Sequence, residues 1–166
     1  MGMSVTNSLS LRLYYNRYSS VAAGTVRKAA TTGTLSMADA GALRNAIRRL
    51  QDYDFSSSTD VQTQEKVKAF TDTMNNALES AKKYGANDSS IRSAASKLKN
   101  LNNEYASELS KIGITVGKDG SMSLYDQASK TYSDKAFSKF FDKDSKYLKE
   151  IYDVAKRITR RVDVRI

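Results

Sequence analysis

The chain has 166 residues and a formal net charge of +9, from 27 Lys and Arg against 18 Asp and Glu, and it contains no His, Cys, Pro or Trp. Without His and Cys, the Ser–His triad, the Cys–His pair and the His- or Cys-based zinc site are excluded. Proline breaks helices, so its absence from a chain of this length favours long helices. We therefore expect a non-catalytic all-α protein, with no cofactor-binding or metal-binding residues.

The chain is predicted to form a single domain, residues 1–166, whose N-terminal part is a helical segment over residues 1–55. Leucines alternate early in residues 4–30, which fits a strand as well as a helix. The length of the apolar pattern and its alanine-rich continuation favour a helix from about Ser10.

The second part of this segment is predicted to be a linker followed by a helix. The linker is the polar stretch over residues 31–34. Ser36 and Asp39 then have the spacing of a capping box, with Asp in the position that usually holds Glu or Gln. The helix that follows should extend to about Gln51.

Residues 60–166 are predicted to be a helical stem. The pattern indicates long helices over about 61–84 and 89–111, and the short connection between them predicts antiparallel packing. Shorter helices over 125–132 and 134–141 should precede a last helix over about 145–161. The predicted architecture is an elongated antiparallel helical hairpin or bundle.

A β-hairpin interrupts this stem at about residues 113–124. Two short β-prone runs, at residues 114–116 and 122–124, flank the sequence Gly-Lys-Asp-Gly. An Asp-Gly pair between such runs is a strong local hairpin signal, because both residues tolerate positive φ. Gly117, Asp119 and Gly120 are therefore assigned to the turn.

The apolar stripes of the long helices are predicted to associate with a protein partner or with a second copy of the chain. One polar residue, Asn102, falls in a core-type position, where a buried Asn can fix register or oligomeric state. Alternatively, Leu101 takes the core position and Asn102 faces water. The residues predicted to mediate assembly are Phe70, Met74, Leu98, Asn102, Tyr105, Leu109, Leu148, Ile151 and Ile158.

The basic charge suggests a second kind of partner. Positive residues are dispersed, and the densest group lies over residues 156–161. Tyr14, Tyr15 and Tyr18 interleave with arginines, as in a platform for single-stranded nucleic acid, but tyrosines at helical spacing more often pack between helices. Nucleic-acid binding is thus possible but less favoured than protein association. No apolar run has the ~18 residues that a membrane-spanning helix needs.

Three segments within about residues 65–143 resemble the coiled-coil stem of bacterial flagellar filament-cap (hook-associated) proteins. They are KVKAFTDTMNNALESAKK at 66–83, LSKIGITVGKDGSMSLYDQ at 109–127 and KAFSKFFDK at 135–143. The resemblance implies the helical stem of an axial oligomer that is exported through the flagellar apparatus without a cleaved signal. It implies assembly and not catalysis.

The leading hypothesis is therefore a structural protein, a small flagellar-type axial or accessory component. If the resemblance holds, the protein is extracellular and associated with the flagellum. The alternative is a cytoplasmic basic helical protein that binds nucleic acid or acts as a helical adaptor or chaperone.

Overall fold

The computed structural model describes residues 8–162, and helices dominate this part of the chain. The all-α fold with one small β-hairpin is confirmed. The elements, in chain order, are α1 (Leu9–Tyr15), α2 (Gly24–Ala29), α3 (Thr32–Gln51), α4 (Asp60–Gly85), α5 (Ser89–Glu104), α6 (Ala106–Ser110), β1 (Ile114–Val116), β2 (Met122–Leu124), α7 (Ala128–Thr131), α8 (Asp134–Phe140) and α9 (Lys146–Arg161).

Four helices form a bundle that encloses the core. The helix α3 packs along α4 and α9, and α5 packs along the same two helices from the other side. Only residues 86–88 connect α4 to α5, so these two helices run antiparallel, as predicted. Each helix contributes an apolar stripe to the common core; the fully buried side chains include Leu43, Ile47, Phe70, Met74, Ile91, Leu98, Leu148 and Ile151.

Side-chain caps determine where the long helices begin. The Thr31 hydroxyl accepts a hydrogen bond from the Thr34 amide at 3.2 Å and caps α3. Thr59 and Gln62 form a reciprocal capping box at the start of α4. The linker predicted over residues 31–34 is therefore wrong, since most of it is the first turn of α3.

The predicted capping box at Ser36 and Asp39 is also wrong. Both residues lie inside α3 with their side chains buried, at 1 % and 0 % exposure. Asp39 forms an ion pair with Arg27 of α2 and has no capping role.

The N-terminal segment is not the continuous helix predicted from Ser10. The first helix ends at Tyr15; its C-cap, Asn16, has a φ of +57° and begins a 3-10 turn over Asn16–Val21. The short helix α2 begins at Gly24, which also has positive φ. These breaks turn the chain back on itself, so that Arg27 reaches α3.

The helix predicted over residues 89–111 is divided at Tyr105. The backbone there has φ −99° and ψ 17°, which ends α5 and begins α6. The change of direction lets α6 pack on β1. None of the helices in the described residues 8–162 is long and apolar enough to cross a bilayer.

The β-hairpin has the predicted position. Ile114 pairs with Leu124 and Val116 with Met122 in antiparallel register. The Gly117 amide donates to the Ser121 carbonyl at 2.8 Å, and the Gly120 amide donates to the Gly117 carbonyl at 2.9 Å. The loop therefore has three residues, and Gly120 supplies the positive φ, +85°, that such a loop needs.

Two asparagines attach the hairpin to the bundle. The Asn75 side chain of α4 accepts from the Met122 amide at 2.7 Å and donates to the Met122 carbonyl at 2.8 Å. The Asn102 side chain of α5 donates to the Gly120 carbonyl at 2.9 Å and accepts from the Tyr147 hydroxyl at 2.6 Å. Asn102 is buried, so the alternative in which it faces water is wrong, although Leu101 is buried in the core as that alternative expected.

An aromatic cluster closes one end of the bundle. Phe55, in a 3-10 turn after α3, stacks on Phe137 of α8 and on Phe141, with ring centroids 5.8 Å apart in each pair. Phe70 of α4 meets Phe141 edge to face at 5.4 Å. Because all four rings are fully buried, α8 is held against the bundle by apolar packing.

Replacement of Gly120 by valine should destabilise the protein by at least ~2 kcal/mol, because a β-branched residue at positive φ is strained. A Cβ atom there would also lie 2.8 Å from the Lys99 Cα atom. Gly41→Ala is the matched control, since nothing lies within 4 Å of that Cβ position in α3. It should stabilise by roughly 0.5–1 kcal/mol. Urea unfolding measures both, and equal midpoints for Gly120→Val and the parent protein would refute the hairpin geometry.

Candidate functional site

The residues predicted to mediate assembly lie mostly in the core of the single chain. Eight of the nine are buried, with exposures of 0 or 1 %: Phe70, Met74, Leu98, Asn102, Leu109, Leu148, Ile151 and Ile158. Tyr105 is half-buried and packs on Tyr147, with ring centroids 5.1 Å apart. Association through these side chains would require the bundle to open, so a contact surface of the closed bundle must lie elsewhere.

Large apolar side chains are exposed mainly around the first turns of α4. The most exposed is Val61 at 78 %, followed by Leu9 at 60 %, Tyr125 at 54 % and Leu13 at 40 %. We call these four residues the apolar patch. Val26, which is 52 % exposed, lies apart from them on α2.

Glu65 brings α1 to this part of α4. Its carboxylate accepts hydrogen bonds from the Ser10 amide at 2.9 Å and the Ser10 hydroxyl at 2.5 Å, and it also accepts from the Ser8 hydroxyl. Val61 lies one helical turn before Glu65 on the same side of α4. Leu9 lies between the two serines, so these hydrogen bonds hold its segment against the first turns of α4.

Gln64 positions the other side of the apolar patch. Its side-chain amide donates to the Tyr125 carbonyl at 2.9 Å, and its carbonyl oxygen accepts from the Ser129 amide at 3.0 Å. The segment that follows the hairpin is thereby held against the start of α4. The segments that carry Leu9 and Tyr125 are therefore both hydrogen-bonded to the first turns of α4, where Val61 lies.

The Glu65 carboxylate is held in its charged form. Partial burial by itself would raise its pKa, but the hydrogen bonds from Ser10 and Ser8 together outweigh that effect and lower the pKa. The contact between α1 and α4 is therefore an electrostatic anchor at neutral pH.

A cleft of about 270 Å³ adjoins the apolar patch at Leu13. It contains the cations Arg49 and Lys66 and the carboxylate Asp52; its other lining residues are Ser10, Tyr14, Leu50 and Tyr53. The Lys66 ammonium lies 4.9 Å from the centre of the Tyr53 ring. The cleft thus offers both charged and apolar groups, as the rim of a protein contact does.

The N-terminal tyrosines serve packing. Tyr14 and Tyr15 are both 2 % exposed, and the Tyr14 hydroxyl donates to the Lys66 carbonyl at 3.1 Å. Burial raises the pKa of both phenols above the usual range, so each remains a hydrogen-bond donor. The packing interpretation of these two residues is confirmed, and their rings are not available as a platform for bases.

A buried ion pair completes the attachment of the N-terminal segment. The Arg27 guanidinium donates two hydrogen bonds to the Asp39 carboxylate, at 2.7 and 2.9 Å, and Asp39 is fully buried. The Tyr15 hydroxyl donates to Asp39 at 2.6 Å and accepts from the Asn76 amide at 2.9 Å. One network therefore joins α1, α2, α3 and α4, and it performs a structural task.

Sequence reasoning missed the apolar patch. Val61 lies off the apolar stripe of α4. An isolated apolar residue on the polar face of a helix was the one sequence feature that could have indicated an exposed contact residue. Leu9 and Tyr125 carry no such signal, because only the fold brings them to α4. Residues 8–162 hold no group of three or more acidic side chains close enough to bind a metal ion.

Comparison with protein families, with curated proteins and with solved structures finds no match for this chain. The resemblance to filament-cap stems therefore depends on the three sequence segments alone, and a function has to be proposed from the surface of the fold.

Asp39→Asn should cost about 3–5 kcal/mol of unfolding free energy, because it leaves the mostly buried Arg27 charge without its partner. Asp52→Asn is the control, since the Asp52–Lys143 pair is exposed and should contribute less than ~1 kcal/mol. Denaturant unfolding at neutral pH gives both values. Similar losses for the two variants would contradict the assigned role of the buried pair.

Glu65→Gln should alter the pH dependence of stability. The lowered pKa of Glu65 means that its contribution is present above the ordinary Glu pKa of ~4.3 and is lost as pH falls through the lower, folded-state value. The variant should be less stable than the parent at neutral pH, and the difference should shrink as pH falls below ~4. Glu104→Gln, exposed on α5, is the charge-matched control. Urea midpoints measured across this range decide the matter; a constant difference would contradict the anchor.

Proposed function

We propose that this protein is a non-catalytic structural protein, a small flagellar-type axial or accessory component that associates through the apolar patch. The observation that carries the proposal is that four of the five exposed large apolar side chains of the described residues lie on the start of α4 or on segments joined to it by hydrogen bonds. Single exposed apolar residues are ordinary, but a contiguous group marks a contact surface.

The position of the patch supports association of the closed bundle. Leu9, Val61 and Tyr125 project from three different segments, which hydrogen bonds to Glu65 and Gln64 hold together. A surface that is fixed before binding loses little conformational entropy when a partner docks. The adjoining cleft places Arg49, Lys66 and Asp52 beside the apolar side chains, where they would select a partner by charge.

The sequence resemblance supports the flagellar assignment. Its first segment falls on α4, its second on the hairpin and its third on α8. The stripes that were predicted to mediate assembly are used within the chain, so the proposed contact moves from those stripes to the patch. The partner is a second copy of this chain or another axial protein.

The double variant Leu9→Glu/Val61→Glu should weaken self-association at least tenfold, since each substitution places a charge in an apolar contact. Val26→Glu is the matched control, because it makes the same change at an exposed valine outside the patch. Sedimentation velocity over a range of protein concentrations measures the association, and circular dichroism verifies the fold. If the parent protein stays monomeric and the variants behave alike, self-association through the patch is excluded.

The flagellar assignment predicts that the protein is found with extracellular filaments. Sheared filaments and cytosol from the cells that make the protein should be probed with an antibody to it. A signal in the filament fraction supports the axial role, and the double variant should then be lost from that fraction while Val26→Glu is retained. A signal in the cytosol alone would overturn the assignment.

A further inference from the structure

The exposed side of the α3–α9 pair carries a cluster of cations around one tyrosine. Arg44 and Arg48 lie one turn apart on α3, and Tyr152, Lys156 and Arg160 follow one another at four-residue spacing on α9. We call these five residues the basic seam. The α9 part of the seam extends over about 12 Å of helix axis.

The tyrosine ring holds both guanidinium groups in place. The Arg44 guanidinium carbon lies 5.2 Å from the centre of the Tyr152 ring, and that of Arg48 lies 4.9 Å from it. Arg44 also donates to the Tyr152 hydroxyl at 3.3 Å and to the Thr159 hydroxyl at 3.2 Å. Cation–π contact and hydrogen bonds therefore orient two positive charges at the surface before any ligand binds.

These cations are not neutralised within the described residues. The ion pairs of residues 8–162 are Arg27–Asp39, Lys68–Asp72, Lys143–Asp52 and Arg161–Asp88, and none of them includes a residue of the basic seam. The Arg44 Nε atom is buried and has no hydrogen-bond partner there. The acidic residues of α9 are Glu150 and Asp153, against six Lys and Arg in the same helix, so the helix keeps a positive balance.

The surroundings of the seam are positive as well. Residues 8–51 contain seven Lys and Arg and a single acidic residue, Asp39, whose charge is already paired with Arg27. The charge surplus of the chain is thus concentrated in the segments that form α1, α2, α3 and α9. Such a field attracts polyanions over distances of about a Debye length.

We propose that the basic seam binds the phosphate backbone of a nucleic acid without base specificity. A linear set of cations suits a polymer with evenly spaced charges, and guanidinium groups match phosphate oxygens in a two-pronged geometry. An anionic membrane suits the seam less well, because interfacial helices insert apolar side chains among their cations. The exposed large apolar residues of the described chain lie on other elements.

The basic seam shares no residue with the apolar patch, and the two proposals are tested with different variants and different ligands, so their failures are distinguishable. The test is fluorescence anisotropy with a labelled DNA duplex of about 20 base pairs, titrated with the full chain between ~50 and ~200 mM salt. The logarithm of the binding constant should fall with a slope of about −3 to −4, corresponding to roughly four phosphate contacts. A single strand of the same length should bind with a shallower slope.

Arg48→Gln/Lys156→Gln should weaken binding to the duplex by roughly tenfold per residue near 0.1 M salt and reduce the slope by about two. Lys99→Gln/Lys118→Gln removes the same charge beside the hairpin, which packs on α4 and α5 at the other side of the bundle. It should change the affinity by less than about threefold, the effect of a distant screened charge. Thermal melts verify that both double variants fold.

Three outcomes overturn the proposal. The first is no salt-dependent binding of duplex or single strand by the parent protein. The second is an equal loss in the seam variant and the control variant, which would indicate general charge attraction without a site. The third is equally tight binding to phosphatidylserine vesicles or to polyglutamate, which would assign the seam to a membrane or to an acidic protein.

Discussion

Burial of four apolar stripes against one another is the interaction on which the rest of this structure depends. The stripes belong to α3, α4, α5 and α9, and each helix gains most of its stability from packing this apolar face, since an isolated helix of this length is marginal in water. Because the core is shared, the short elements have only to dock on a formed bundle. The hairpin, α8 and the N-terminal helices do so through a few specific contacts.

Buried polar groups decide how those elements dock. Apolar packing tolerates several arrangements, whereas a buried carboxylate or amide without its partners costs several kcal/mol. Asp39 accepts hydrogen bonds from Tyr15 of α1 and from Arg27 of α2, and these bonds fix the position of both helices on the bundle. Asn102 links the hairpin to Tyr147 of α9 in the same way. At Asp39 and at Asn102, a different arrangement of the elements would leave a buried polar group without its hydrogen-bond partners.

The two proposed surfaces differ in the physics of binding. The apolar patch would act through burial of side chains from α1, α4 and the segment after the hairpin, and salt would affect it little. The basic seam would act through release of counterions and would weaken steeply with salt. The two sets share no residue, so substitutions in one surface leave the side chains of the other unchanged.

Much of the secondary structure was predictable from local signals. The stripes gave α4 and α9 to within a residue or two, and the Asp-Gly sequence gave the hairpin together with its turn. The error at Thr31 was local, since its cap on α3 is formed with Thr34. The errors at Asp39 and Tyr105 occur where the contacts come from residues distant in sequence, Arg27 and Tyr147. The local sequence around Asp39 resembles a capping box, and only the fold shows that this carboxylate is paired with Arg27.

The sequence by itself determined the all-α class, the positions of the long helices and the hairpin, because these depend on periodicity, caps and turn chemistry within a few residues. It did not determine what the stripes pack against. Phe70 or Leu98 on a helix face is equally suited to a second chain and to the same chain, and only closure of α3 and α9 over α4 and α5 assigned them to an internal core. The exposed patch and the basic seam likewise exist only in the folded chain, since their residues come from segments far apart in sequence.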